Sequence, residues 1–207
     1  MKAGITFQEV LDLVEYKKEE FARLPLFEYM RDKSIHPRQR LIFAPCIVPV
    51  AMGFSDLCKY IFKTEPTTDP LQQLINRHCD EEHFHWNWLL EDLEKLDLNQ
   101  SQAYVDSSLF LWGSETLASR QVCSIIERYA ANAKPIYKLA SIQVSEVTAN
   151  VFFDFSKPVA LELQTLTGKE YRYFGGCHMG QEENHEINTP EAINFIHSLK
   201  LTQEEIN

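Results

Sequence analysis

Two segments of the sequence carry histidine and glutamate residues at one repeated spacing, 100 residues apart. They are His78-x-x-x-Glu82-x-x-His85 and His178-x-x-x-Glu182-x-x-His185. In an α-helix, positions i, i+4 and i+7 lie within roughly 60° of one another, so each segment would present two imidazoles and one carboxylate on one side. Imidazole nitrogens and carboxylate oxygens suit iron, manganese or zinc, and di-iron bundles use the Glu-x-x-His unit that both segments contain. The repeated spacing therefore predicts a metal site between two helices.

A third source of ligands is Glu146, which shares a helical face with Ile142 and Phe153. An unpaired carboxylate on an apolar face is costly to bury or takes up a proton, and a bound metal ion offsets that cost. Glu146 is therefore predicted to bridge or cap the metal site. Glu81 lies at the edge of the first stripe and could join it, whereas His83 lies off the stripe and is predicted to be a surface residue.

The elements that must position these residues are predicted to be helices throughout. Apolar residues recur at helical spacing along most of the chain, and no strand pair, hairpin turn or solenoid repeat is recognisable. Helices are predicted at 7–30 (bent or split at Pro25), 36–62, 71–96, 114–133, 136–155, 158–168, 177–186 and 189–199, with 101–112 less clearly defined. The predicted fold class is all-α, a bundle of seven or eight helices forming a single domain over residues 1–207.

Composition and charge argue against several functions. The formal net charge of −10 and the pI near 5.2 disfavour nucleic acid or an anionic membrane as the main partner. The most apolar run, residues 41–54, contains Pro45 and Pro49 and is shorter than the roughly 20 residues of a membrane span. It is predicted to be a kinked, buried core helix. Five scattered cysteines and an N-terminus unlike a signal peptide indicate a soluble, cytoplasmic protein with reduced thiols.

The order of these motifs resembles the haem-oxygenase-like di-iron oxidases and oxygenases, whose fold is shared with haem oxygenases and TenA-type thiaminases. That family carries a Glu and a His on one helix, a Glu on a later helix, and a C-terminal His-x-x-x-Asp-x-x-His. The corresponding positions here are Glu82 and His85, then Glu146, then His178, Glu182 and His185. The chain departs from the family at Glu182, where Asp is usual, and at His78, where some members have the first carboxylate.

The resemblance implies a haem-oxygenase-like fold with a non-haem metal centre that activates O2 to oxidise a small organic substrate. It implies two iron ions, or manganese or another divalent metal, no catalytic residue beyond the metal ligands, and a homodimer as in many proteins of the fold. Apolar residues of the second helix and of a later one could wall a substrate cavity, although core packing is their usual role. They are Ile42, Phe43, Ile47, Val48, Met52, Phe54, Phe152, Phe153 and Phe155.

Other functions remain open at this point. A TenA-like thiaminase or hydrolase on the same fold would need an activated thiol, for which Cys123 is the candidate. A haem oxygenase would need a histidine on the first helix, but the first histidine is His36. A metal-binding protein without enzymatic activity would show the same ligands. The sequence does not identify the substrate, nor whether Tyr129 or Tyr137 is itself oxidised.

Overall fold

The computed structural model describes residues 5–182 and 185–206, apart from the side chains of Met179, Gln181 and Glu182. Within these ranges every regular element is helical, with one antiparallel bridge between Thr6 and Lys200. The α-helices are α1 (Phe7–Phe21), α2 (Pro25–Arg31), α3 (Pro37–Arg40), α4 (Val48–Asp56), α5 (Pro70–Glu82), α6 (Trp86–Lys95), α7 (Tyr104–Trp112), α8 (Leu117–Ala130), α9 (Pro135–Thr167), α10 (Gly176–Glu182), α11 (Pro190–Ser198) and α12 (Gln203–Ile206). The all-α prediction is confirmed, with more and shorter helices than predicted.

The long helix α9 is the backbone of the bundle and packs against α1, α2, α3, α5, α8 and α10. The prediction of two helices meeting at Pro158 is wrong, because α9 runs unbroken for 33 residues. Pro158 removes one backbone hydrogen bond but lies on the exposed side, while its neighbours Ser156, Val159 and Ala160 are buried. Packing of the buried side therefore maintains the helix through the proline.

The apolar segment Pro37–Phe62 is not the single kinked helix that was predicted. It consists of α3, a 3-10 helix (Ala44–Ile47), α4 and a π-helix (Leu57–Phe62) in sequence. Pro45 and Pro49 each lie in the first turn of one of these pieces, where a missing N–H is harmless. By length and composition the segment could cross a membrane, and 28% of its most apolar window is buried. The predicted core helix is thus only partly buried.

The helix predicted over 71–96 is also two helices. α5 ends at Glu82 and α6 begins at Trp86, with a turn in which the His85 N–H donates to the Glu82 carbonyl (3.1 Å). The Ser55 hydroxyl donates a hydrogen bond to the His83 carbonyl (2.5 Å). This bond replaces the one that the carbonyl would accept within an unbroken helix. The break places His85 at a helix junction.

The core forms two apolar clusters, and α9 contributes to both. One cluster contains Trp88, Val151 and Phe153; the other contains Ile75 and Ile142. Glu146 lies between Ile142 and Val151 on α9, at the boundary between the clusters. The predicted ligand Glu146 therefore lies on the helix that joins the two halves of the core.

Candidate metal centre

Five predicted ligands are buried: His78, Glu82, His85, His178 and His185. The side chain of a sixth, Glu146, is 12% exposed. α5 carries His78 and Glu82, α9 carries Glu146, and α10 carries His178. Glu182 is the last residue of α10, but its side chain lies outside the described residues. The structure thus gathers residues separated by about 100 positions of sequence into one interior region.

A first group of ligand atoms consists of Glu82, His85 and His178. The Glu82 Oε2 lies 3.0 Å from the His85 Nδ1, which lies 3.2 Å from the His178 Nε2. Ligand atoms about 2.1 Å from one ion and about 90–110° apart are separated by roughly 3.0–3.4 Å. The two distances fall in this range, and all three atoms lie within 4.8 Å of one another.

A second group consists of His78, Glu82 and Glu146. The His78 Nε2 lies 3.4 Å from the Glu146 Oε1, and the His185 Nδ1 lies 2.9 Å from the Glu82 Oε1. Glu82 therefore belongs to both groups, with one carboxylate oxygen near His85 and the other near His185. Each of the two Glu82 carboxylate oxygens therefore faces a different histidine.

A third group, His78, Glu81 and His185, overlaps the second. The Glu81 carboxylate also accepts a hydrogen bond from the backbone N–H of Glu186, at 3.3 and 3.2 Å to its two oxygens. An ion pair between Arg77 and Glu186 further ties this segment to α5. Glu81 is thus a potential metal ligand whose carboxylate also binds the backbone N–H of Glu186, the residue that follows His185.

The position of His178 depends on the loop that precedes α10. The His178 Nδ1 lies 3.3 Å from the Tyr173 carbonyl, which favours a proton on Nδ1 and directs an unprotonated Nε2 toward the cluster. Asp92, fully buried on α6, accepts hydrogen bonds from the backbone N–H groups of Arg172, Tyr173 and Phe174, at 2.8–3.1 Å. Asp92 therefore positions His178 through this loop.

Aromatic side chains enclose the first group. Trp88 stacks on the His85 ring with centroids 4.4 Å apart, and Phe153 lies 4.2 Å from the His178 ring. The Arg172 guanidinium covers the Trp88 ring at 4.8 Å. These side chains exclude water and lower the local dielectric constant, which strengthens electrostatic interactions inside the site.

The carboxylates of the site act strongly on His78, which is fully buried on α5. Burial alone would lower the pKa of His78, but Glu146 and Glu82 outweigh it and raise the pKa to about 9. The His78–Glu146 contact does not have the geometry of a hydrogen bond, so we attribute the shift mainly to charge attraction. The site therefore attracts positive charge.

Several details differ from the sequence prediction. Of the helix predicted over 177–186, the structure describes Gly176–Glu182 as helical, and His185 lies at the start of the 3-10 helix Glu186–Asn188. His85 likewise lies in a turn. His83 is partly exposed and lies outside the three groups, as predicted. The contributions of Asp92, Trp88 and Tyr173 were missed. Asp92 could have been predicted from the sequence, because it is an acidic residue on the apolar face of α6, as Glu146 is on an apolar face of α9.

The predicted cavity wall is mainly core packing. Phe155 stacks on Phe27 (4.7 Å) and Phe43 contacts Phe152 (6.0 Å), while Ile42 and Met52 are exposed. The partly buried Ile47 and Val48 pack on the first core cluster, and Phe54 packs on the second. Phe153, another of the nine predicted wall residues, contacts the ring of the predicted ligand His178. No substrate cavity is assigned to these residues.

Cys123 shows no sign of activation. Its sulfur lies against α4, 3.7 Å from the Val50 carbonyl, and a Cβ on Gly53 would meet it at 2.6 Å. Burial raises the pKa of the Cys123 thiol to about 11, with a smaller contribution from Asp56. A nucleophilic cysteine needs the opposite shift. The contacts of Cys123 are those of a packing residue between α4 and α8.

Comparison of the sequence with models of known protein families, and with curated proteins, finds no match. The functional interpretation therefore depends on the site itself.

We predict that His78 stays protonated to about pH 9 in the metal-free protein. Its pKa exceeds the roughly 6.5 of an unfolded chain, so its stabilising contribution is complete below about pH 6.5 and is lost as pH rises through 9. NMR titration of the imidazole would measure the pKa, with the resonance assigned from its loss in His78→Gln. The unfolding free energy of both proteins should be measured by denaturation at pH 6.5 and 9.5. Between these pH values it should fall more in the wild type than in His78→Gln. A His78 that titrates at or below 6.5 would contradict the prediction.

We predict that Asp92→Asn weakens metal binding without removing a ligand. The amide offers one acceptor oxygen to three N–H donors, so unfolding free energy should fall by about 1–3 kcal/mol and metal affinity by about 10–100-fold. Calorimetric titration with a divalent metal, at a temperature where the variant is folded, measures the second effect. Glu94→Gln, two residues later on α6 and exposed, is the matched control. In a His178→Ala background Asp92→Asn should no longer alter affinity; an undiminished effect there would refute the positioning role.

Proposed function

We propose that this chain binds two metal ions in the Glu82-centred site and is a non-haem di-iron oxidase or oxygenase. One ion would be held by Glu82, His85 and His178, and the other by His78, Glu82 and Glu146, with His185 and Glu81 as further donors. Manganese or another divalent metal could replace iron. The proposal is supported above all by Glu82, whose two carboxylate oxygens face histidines from two different segments.

The donor set is compatible with iron and differs from that of a structural zinc site. It combines imidazole with carboxylate and includes no cysteine, whereas structural zinc sites are often rich in thiolate. The carboxylates also favour a charged partner, because an ionised acid buried without compensation is strongly destabilising. Paired ferrous ions would supply the electrons with which O2 is activated.

The residues around the ligands would support that chemistry. Tyr173 orients His178 through its carbonyl, and Trp88 and Phe153 keep water away from the ligand side of the centre. Exclusion of water protects a reactive oxidant from unproductive reduction and directs it to a bound molecule. The substrate is proposed to be a small organic compound. Localisation in the cytoplasm remains part of the proposal.

We expect the protein reconstituted anaerobically with ferrous iron to bind two ions per chain. Glu82→Ala should lose both because it removes the shared ligand, whereas His178→Ala and Glu146→Gln should each lose one. Elemental analysis after gel filtration, with circular dichroism to verify folding, measures this. His83→Gln is the matched control, since His83 is a neighbouring histidine outside the three groups, and it should retain both ions. Wild-type protein that retains no metal would overturn the site.

We expect the iron-loaded protein to consume O2 faster than the same concentration of ferrous iron in buffer. The zinc-loaded wild-type protein is the control, because zinc occupies the ligands but has no redox chemistry. Oxygen electrode measurements, with an absorption spectrum recorded on O2 addition, test this. Cys123→Ala should retain the uptake. Iron binding without O2 uptake would favour a metal-binding protein that is not an oxidase.

A further inference from the structure

The backbone hydrogen bonds change their pattern where α5 gives way to α6. The His83 N–H donates to the Cys79 carbonyl, four residues back, as in an α-helix (3.2 Å). Three later N–H groups reach only three residues back, at 3.0–3.1 Å; they belong to His85, Asn87 and Trp88. This is the pattern of a 3-10 helix, whose turns are tighter than those of an α-helix. The two helices are therefore joined by a turn of the 3-10 type.

This 3-10 turn determines how Glu82 and His85 face each other. Residues three apart point roughly 60° away from one another on an α-helix, whereas on a 3-10 helix they lie directly above one another. The hydrogen bond from the His85 N–H to the Glu82 carbonyl closes a turn of the second kind. The Glu82 Oε2 and the His85 Nδ1 are 3.0 Å apart, and that nitrogen lies 3.2 Å from the His178 Nε2. The turn thus aligns two ligands of the first group.

Two side chains outside the ligand groups hold the 3-10 turn. Ser55 is buried on α4, and its hydroxyl donates to the His83 carbonyl (2.5 Å). In an unbroken α-helix the Asn87 N–H would donate to that carbonyl. Here the Asn87 N–H donates to the Phe84 carbonyl (3.1 Å), which also accepts a hydrogen bond from the Asn87 side-chain amide (2.8 Å). Because α4 packs against α6, Ser55 is kept beside the turn.

We propose that Ser55 and Asn87 are positioning residues for the metal ion of the first group, acting through His85. Neither supplies a ligand atom to the three groups. Both stabilise the 3-10 turn against one continuous helix, which the periodicity of residues 71–96 favours. In that helix the buried Ser55 hydroxyl would lose its acceptor, which costs free energy. This role rests on the proposed metal site and adds the hydrogen bonds that set its geometry.

Titration of the full chain with cobalt(II) tests the role of Ser55, because cobalt binds imidazole and carboxylate and its visible absorption reports its coordination. The wild type should bind two ions, and the absorption that is missing from His178→Ala identifies the ion of the first group. Ser55→Ala should bind that ion about 10–100-fold more weakly, as when a residue that orients a ligand is removed. The affinity for the other ion should not change. Ser55→Thr keeps the hydroxyl and should restore binding.

Ser119→Ala is the matched control for Ser55→Ala. The Ser119 hydroxyl also donates to a carbonyl of another element, that of Cys46 (2.6 Å). Ser119 lies on α8, which carries no predicted ligand. This variant should therefore bind both cobalt ions with the affinities of the wild type.

Asn87→Ala tests the same turn without a buried substitution, because Asn87 is exposed. Loss of one hydrogen bond to the turn should weaken binding of the first-group ion by about 2–10-fold. Alanine also favours the continuous helix more than asparagine does, which acts in the same direction. Asn99→Ala is the matched control, since the Asn99 amide donates to the Glu94 carboxylate (3.2 Å) away from the ligands. Circular dichroism of each variant verifies folding.

The outcomes separate the positioning role from the metal site itself. A wild type that binds no cobalt would overturn both. If the wild type binds two ions and neither Ser55→Ala nor Asn87→Ala changes the affinity for the first-group ion, only the positioning role fails. Equal weakening of both ions would indicate a general loss of packing and would also overturn that role. If Ser55→Ala does not fold, the result for Asn87→Ala decides.

Discussion

The burial of the Glu82 carboxylate among histidines is the interaction on which the rest of the structure depends. Its oxygens lie 3.0 and 2.9 Å from nitrogens of His85 and His185, which come from different parts of the chain. An acid in that position needs compensating positive charge. In the metal-free chain, protonated His78 can supply part of that charge. A divalent ion supplies more and satisfies several ligand atoms at once, which no single proton can do.

This requirement explains why the ligands lie at helix ends as well as within helices. His85 follows the end of α5, and His185 immediately precedes the short 3-10 helix Glu186–Asn188. A residue at a helix end can approach a neighbouring helix more closely than one in the middle, because the backbone is not confined to the helix axis. α9 supplies the fixed reference, since Glu146 lies between the parts of α9 that pack in the two core clusters.

The sequence was sufficient to predict the all-α class and the group of histidine and glutamate residues that the structure brings together. Residue type and spacing carry that information directly. Spacing did not predict helix continuity, because a short turn such as 83–85 can preserve the side-chain stripe that periodicity detects. Local rules also failed for proline: Pro45 and Pro49 begin new helical pieces, whereas Pro158 lies inside α9. Tertiary packing decides between these outcomes, and that packing cannot be inferred from a single sequence. The haem-oxygenase-like arrangement itself stays a prediction.

The structure reverses the usual distribution of polarity at two places, with titratable side chains inside and apolar stripes outside. The buried carboxylates of the Glu82 site and the exposed apolar residues of α7 and α8 each reduce the stability of an isolated, metal-free chain. A cation bound at the Glu82 site would relieve the first of these costs. A partner that binds only the folded form stabilises it in proportion to the logarithm of its concentration. Neither α7 nor α8 contributes a predicted ligand. Because the two places share no residue, their contributions to folding stability should be nearly additive.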